Sequence, residues 1–319
     1  MSKRTLIASV IAISILCLPP MALAGSSVAK LKVQAATEEE YGAIYEEVLA
    51  EGPSAVPALL ALLEGTDPAP VKITALRILG EMKAQEALDP LAKILETSKD
   101  PGLIVKTGRT MGNIGGNHAA ELLMDALEGA RAKRQADGAS ARKAAVLGLG
   151  LANDPRAVLP LMAELSDTNH DELTRIYAAG SLGLLGKSDG LQLATAGLNW
   201  RDPSVRLAAV QALGLIGALD SATALAGLTG AGNPYAVRVA AALSLVQIKA
   251  AQLTGAEKAD FIKNVLLNNP RTPDFVTWGT RILARMGTQE AVDTLKELAA
   301  REGDEFSALR RAARIKLRK

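Results

Sequence analysis

Apolar residues recur at helical spacing along nearly the whole chain, in blocks that echo one another. In Val205–Gly217, the positions Val205, Ala209, Ala212, Leu213 and Ile216 fall on one face of a helix with 3.6 residues per turn. Val71–Gly80, Thr174–Gly183 and Val237–Val246 carry variants of the same string. Marked at Gly80, Gly112, Gly150, Gly183, Gly214, Val246 and Ala284, the blocks follow at intervals of 31 to 38 residues. Self-similarity at this period predicts a solenoid, in which each unit buries its apolar face against its neighbours.

Each period predicts two helices. Between Asp189 and Gly217 these are Leu191–Leu198 and Val205–Ile216, joined by a turn at Trp200–Pro203. Pro203 stands in a first helical turn, where its missing N–H costs nothing, and Asp202 is placed to cap the same helix. Gly217 ends it. Asp67-Pro68, Asp100-Pro101 and Asn233-Pro234 repeat that turn, with Pro273-Asp274 as a variant. First helices are expected from Ser54, Glu86, Ala119, Pro155, Leu191 and Ser221, and near Lys258 and Glu290, giving about eight helix pairs. The two longer intervals carry insertions at Ala130–Ser140 and Ala250–Glu257, the first with the basic cluster Arg131, Lys133 and Arg134. Thr37 with Glu38, Glu39 and Glu40 reads as a capping box opening an acidic helix to about Ala50. This helix and one near Phe306–Leu317 would cap the two ends of the stack. Aromatic residues make up only 3% of the chain, so the core must be Leu, Ala, Ile and Val, and the fold class is all-α.

The chain opens with Lys3 and Arg4, an apolar run at Leu6–Leu18 too short to span a bilayer, Pro19-Pro20, and Ala22-Leu23-Ala24. This order predicts a secretory signal peptide cleaved after Ala24, and therefore a periplasmic or secreted protein; an uncleaved anchor is the alternative. Cys17 is the only cysteine, and Leu16 before it argues against lipid attachment. The expected organisation is 1–24 signal peptide, 25–53 N-terminal segment with its acidic capping helix, and 54–319 repeats. Lys and Arg number 36 against 34 Asp and Glu, and loss of Lys3 and Arg4 with the leader leaves the two balanced. No global attraction to nucleic acid is expected, and membrane contact only weakly.

The string Val-Arg-Leu-Ala-Ala-Val-Gln-Ala-Leu-Gly at Val205–Gly214, after Asp202-Pro203, resembles the HEAT repeat, in the short bacterial variety named after phycobilin lyases. Ala55–Leu60 resembles the first helix of that repeat, and the resemblance runs from Ser54 to Lys319. It implies a right-handed α-solenoid of the armadillo/HEAT type. It leaves function open, since such repeats serve as scaffolds, transport factors, lyases and modification enzymes. The family also implies a role for the basic residue after the first apolar position, here Lys72, Arg142, Arg175, Arg206 and Arg238. Each follows an Asp or Asn of the turn (Asp67, Asp137, Asp171, Asp202, Asn233) by four or five residues, so a hydrogen-bonded ladder from turn to second helix is expected. A basic stripe gripping an acidic partner is the alternative, and it would be broken at Ile104 and Val276.

Candidate chemistry is sparse. His118 and His170 lie at turns of different repeats and read as solvated. HEAT-like di-iron hydroxylases use repeated His-Glu pairs, and this chain has no His-Glu dipeptide. No nucleophile elbow or phosphate-binding loop occurs in a strand–turn–helix context. No metal or other cofactor is therefore expected, and no enzymatic activity. A protein or peptide partner is expected instead, on the concave face of the second helices. Counted from the first apolar position, residues three and six further on would line that face. Arg77, Arg109, Tyr177, Trp278 and Arg281 are the candidate anchors, because Trp, Tyr and Arg dominate interfaces. Two alternatives stay open. One is a lyase-like enzyme, or an enzyme-accessory subunit, acting on a bound chromophore or cofactor. The other is an envelope adaptor whose basic C-terminal helix (Arg310, Arg311, Arg314, Lys316, Arg318, Lys319) meets anionic lipid.

Overall fold

A computed structural model describes residues 25–32, 38–133, 135–230 and 232–317. The signal peptide, Thr37 of the capping box, Arg134, Arg318 and Lys319 lie outside the described residues. Among those described, all regular structure is helical. Helices α1 (Gly25–Lys30) and α2 (Glu38–Glu51) come first. Four pairs follow: α3 (Val56–Glu64) with α4 (Ala69–Met82), α5 (Leu88–Thr97) with α6 (Pro101–Ile114), α7 (Asn117–Ala132) with α8 (Gln135–Ala152), and α9 (Val158–Ser166) with α10 (Glu172–Leu184). Four more complete the chain: α11 (Leu191–Gly197) with α12 (Pro203–Ile216), α13 (Ala222–Gly227) with α14 (Tyr235–Ala251), α15 (Gly255–Asn268) with α16 (Pro273–Met286), and α17 (Gln289–Ala300) with α18 (Ser307–Leu317). The fold is an all-α solenoid of helix pairs, as the repeats require.

The chain divides into two compact units, one ending at Ile78 and one beginning at Leu79. In the first, α1 packs on α2 and α3, and Val28, Tyr45, Val48 and Leu59 are buried. Lys30 pairs with Glu47 at 2.6 Å and Lys32 with Asp67 at 3.0 Å.

In the second unit the second helices form a continuous row, α6 on α8, α8 on α10, α10 on α12 and α12 on α14. The first helices lie along one flank of that row, α11 against α12 and α13 against α14. One apolar cluster joins Ile176, Ala209, Leu213, Leu225 and Ala241, and another joins Ile262, Leu266, Leu283, Leu295 and Leu309. The glycines that mark the sequence period have a packing cause. A Cβ on Gly112 would stand 2.2 Å from the Gly148 carbonyl oxygen, and one on Gly183 would stand 2.7 Å from the backbone nitrogen of Ile216. Each sits where the next second helix comes closest, so it serves the crossing rather than merely ending its own helix.

The two insertions are taken up largely by helix. The insertion at Ala130–Ser140 falls largely within α7, of 16 residues, and α8, of 18. Its alanines favour helix, and Gly138 lets α8 press against the Ala130 carbonyl, which a Cβ would approach to 2.3 Å. The insertion at Ala250–Glu257 likewise extends α14 to 17 residues.

The ladder between turn carboxylates and basic residues does not form as expected. The carboxylates face the helix that follows. Asp100 accepts from the amides of Gly102 and Leu103, Asp171 from Thr174 and Asp202 from Ser204. Three of the five basic residues turn the other way, onto the last carbonyls of the preceding helix or the turn after it, while Arg238 lies over the Tyr235 ring. Arg142 donates to Ala130 O at 3.0 Å, Arg175 to Leu165 O at 3.0 Å and Arg206 to Trp200 O at 3.4 Å. Free amides at one helix start and free carbonyls at the previous helix end both need partners, and each side chain meets the end that its charge complements.

Candidate functional site

The register of the second helices decides which residues face outward from the row. Three residues past a buried position is a rotation of about 300°, which returns to within about 60° of the core; six residues is about 240°, well round toward solvent. The structure follows this geometry. At the nearer position Ala144, Ala208, Ala240 and Trp278 are buried, and only Lys106 is exposed. At the further position Arg109 and Gln211 are exposed and Leu147, Leu243 and Arg281 are half-buried. The next turn adds Leu151, Leu184, Leu215 and the exposed Arg285. The accessible face therefore consists of the further series and the turn after it.

Trp278 is consequently corrected as an anchor. It is 5% exposed and packs in the cluster formed with Leu283, Leu295 and Leu309. Arg77 belongs to the first unit, where its guanidinium stacks 4.5 Å over the ring of the buried Tyr45. Arg109, Tyr177 and Arg281 all lie in the second unit, on α6, α10 and α16.

The second unit folds back on itself, and the charge of Arg109 acts on both Tyr177 and Arg281. Lys316, in the last turn of α18, donates to Glu81 at the end of α4, across 235 residues of sequence. The guanidinium of Arg281 is held below the usual arginine range by burial first, then by the charges of Arg285 and Arg109, with Glu81 opposing. Burial pushes the Tyr177 hydroxyl up, Arg109 pulls it down, and Asp171 adds to the rise. Arg281 Nε is buried and makes no hydrogen bond. Guanidinium groups thus stand at this register on α6 and α16, and half-buried leucines on α8, α10, α12 and α14.

The buried chemistry that sequence reasoning missed lies elsewhere. Glu164 on α9 is 0% exposed. Its Oε1 accepts from Arg131 Nε at 2.6 Å, and its Oε2 lies 3.7 Å from Nε of the buried Arg142. His170 Nδ1 stands 2.9 Å from the same Oε2 without the alignment of a hydrogen bond. His170 is therefore corrected from solvated to enclosed, with 10% of its side chain accessible. His118 is 51% exposed and meets Asp89 at 2.9 Å. Glu164 gave no signal in sequence, because its partners come from α7 and α8, about one repeat away. Among the described residues, no three His, Cys, Asp or Glu are grouped to hold a metal ion, and no helix is long and apolar enough to cross a membrane.

An open cleft at the helix starts is lined by Ala139, Lys143, Asp171, Leu173, Asp202 and Val205. Two of its three acids are engaged, Asp171 with Thr174 and Lys143 and Asp202 with the Ser204 amide, and the third, Glu172, is exposed. Among the described residues, C-terminal cations are also engaged within the chain. Arg310 donates to Arg301 O at 2.6 Å and Arg314 to Ala299 O at 3.3 Å, both at the end of α17.

A family model for HEAT repeats matches residues 56–141 and 160–246, more than half of the chain. No curated protein matches. Human deoxyhypusine hydroxylase, solved with glycerol, is similar at 15% identity over 93% of this chain and 96% of that one, with a TM-score of 0.38. An engineered protein is similar at 18% identity over 92% and 89%, with a TM-score of 0.35. Lipovitellin, in a study of its lipid–protein interactions, is similar at 14% identity over 95% of this chain and 33% of its own, with a TM-score of 0.41.

Proposed function

The chain belongs to the HEAT-repeat family, and on that premise we propose that it is an exported, non-catalytic scaffold holding a protein or peptide partner against the accessible face of its second helices. One observation carries the reading. The exposed Arg109 and the half-buried Leu147, Leu184, Leu215 and Leu243 stand at outward register positions along the continuous row of second helices from α6 to α14. A face that joins half-buried apolar residues to exposed charge has the composition of a protein interface, where buried apolar contacts supply affinity and charges fix orientation. The buried charges Glu164 and Arg142 tie helices together, away from that face. Export is supported by the short apolar run at Leu6–Leu18 and the Ala22-Leu23-Ala24 site, and it places the scaffold in the periplasm or outside the cell.

Site-specific photocrosslinking tests this. A photoreactive residue at Gln211, exposed on the face, and another at Lys93, exposed on α5, are compared in the full chain with an envelope extract. The expected result is one protein captured at Gln211 and not at Lys93. Capture of nothing, or equal capture at both positions, overturns the reading.

A further inference from the structure

We propose that the solvent-facing surface shared by α7 and α9 docks a basic amphipathic helix of a protein partner, with Leu159, Met162 and Met124 meeting its apolar side chains and Asp125 and Glu128 meeting its cations. This surface belongs to first helices, so it goes beyond the scaffold reading and does not depend on it.

Contacts at both ends set α7 and α9 side by side. At their starts Arg156 Nη1 donates to Glu121 at 2.9 Å. At their ends Arg131 donates to Glu164 Oε1 at 2.6 Å and to the Pro160 carbonyl at 3.1 Å. Along α7, Glu121, Asp125, Glu128 and Arg131 follow one another by four, three and three residues, which places them on one stripe. The two ends of that stripe touch α9, and Asp125 and Glu128 lie between, on a stretch of about 15 Å.

The two helices offer different chemistry. Leu159 is 77% exposed, the highest value among the exposed large apolar residues described, and Met162, one turn on, is also exposed. The only charged residue of α9 is Glu164, which is buried, so the outer side of this helix carries no charge. Beside it, α7 adds the half-buried Met124 and the exposed Asp125 and Glu128. Among the described residues neither acid pairs with a cation, whereas Glu121 at the end of the stripe does.

Charge selects the occupant. An anionic lipid surface or an acidic peptide would meet two carboxylates without counter-charge, and a second copy laid on the same surface would bring two more unpaired acids. A segment with apolar residues on one side and Lys or Arg beside them satisfies both helices. Two neighbouring helices leave a shallow channel that a third fills at a spacing of about 8–10 Å, and residues one turn apart on such a helix match Leu159 and Met162. Methionine side chains adapt to the shape they meet.

The test uses the full chain and fluorescence anisotropy with a labelled synthetic helix of Leu and Lys, the Leu at helical spacing. One control peptide has Gln in place of Lys, and another has the same residues in an order without an apolar stripe. Asp125, Glu128 and Leu159 are exposed, so Leu159→Ser and the double variant Asp125→Asn/Glu128→Gln keep the fold, which circular dichroism verifies. The amphipathic peptide should bind, and each control peptide should be weaker by about tenfold or more. Leu159→Ser should lose about tenfold, and the double variant about tenfold together with most of the salt dependence. Glu290→Gln, exposed on α17, should change nothing. Absence of binding, equal binding of the reordered peptide, or indifference to Leu159→Ser overturns the proposal. Sedimentation velocity and phosphatidylglycerol vesicles cover the other occupants: a dimer or a vesicle complex abolished by Leu159→Ser, without peptide binding, assigns the surface to a second copy or to lipid and also overturns it.

Discussion

Gly112 and Gly148 stand face to face where α6 crosses α8, so close that a Cβ on Gly112 would lie 2.2 Å from the Gly148 carbonyl oxygen. That atom is backbone and cannot swing aside. Gly112→Ala gains about 1 kcal/mol of helix propensity but forces the two helices apart, at a cost of about 1–3 kcal/mol or more. The variant should be less stable than the parent. Gly129→Ala, in α7, meets nothing within 4 Å and should be more stable by about 0.5–1 kcal/mol. Urea unfolding midpoints of the two variants should therefore move in opposite directions; a common direction would refute the crossing as the reason for Gly112.

Glu164 should behave differently from the surface acids. Glu164→Gln leaves the buried Arg142 without the carboxylate that faces it and weakens the bond from Arg131. Breaking such a buried arrangement costs about 3–5 kcal/mol. Chemical denaturation should show a loss of this order, whereas Arg156→Gln, which removes the exposed contacts to Asp154 and Glu121, should hardly move the midpoint.

Asp171 predicts a pH dependence with a definite sign. Burial raises its pKa, but the Thr174 hydrogen bonds and the Lys143 charge outweigh burial and hold it below its ordinary 3.8. A depressed carboxylate stabilises the fold above its unfolded-state pKa, and that contribution disappears as pH falls through the folded-state value. Asp171→Asn keeps a cap for α10 and loses the ion pair. At neutral pH the variant should be less stable by under about 1 kcal/mol, since the pair is partly solvated. The gap should close below about pH 4, as thermal melts across that range would register.

Trp278→Ala should unfold the second unit rather than merely weaken binding. Truncating a large buried aromatic costs about 3–5 kcal/mol, and Trp278 packs among Leu283, Leu295 and Leu309. Trp278→Phe, which keeps most of the volume, should fold. The comparison is made by melting temperature; a stable, well-packed alanine variant would return Trp278 to the surface.

The architecture was legible because its causes are local. The Asp-Pro turns, the apolar spacing and the small residues at Gly112, Gly150, Gly183 and Gly214 each act within one repeat or against the next, so the period alone exposes them. Helix starts near Ser54, Pro155, Leu191 and Glu290 agree with the structure to within a few residues. The candidate face was half legible. The further position past each first apolar residue is accessible, as at Arg109 and Gln211, but the nearer one turns back into the core and takes Trp278 with it. Partners at long range left no trace. The charge of Arg109 acting on Arg281, the Lys316–Glu81 bond and the enclosure of Glu164 by Arg131, Arg142 and His170 depend on how many repeats intervene and how each pair rotates on the next. The arginine ladder failed for a related reason. Spacing sets which groups are near, while the unsatisfied helix ends on either side of the turn decide where each side chain goes.

The bond between Lys316 and Glu81 changes what kind of thermodynamic object the second unit is. A linear array of repeats melts from its ends, and damage to one terminus stays there because coupling reaches only the adjacent repeat. With the final helix fastened to the opening turn, 235 residues earlier, neither terminus frays alone. Loosening α18 also frees the end of α4, so the unit should gain cooperativity out of proportion to the strength of a single ion pair.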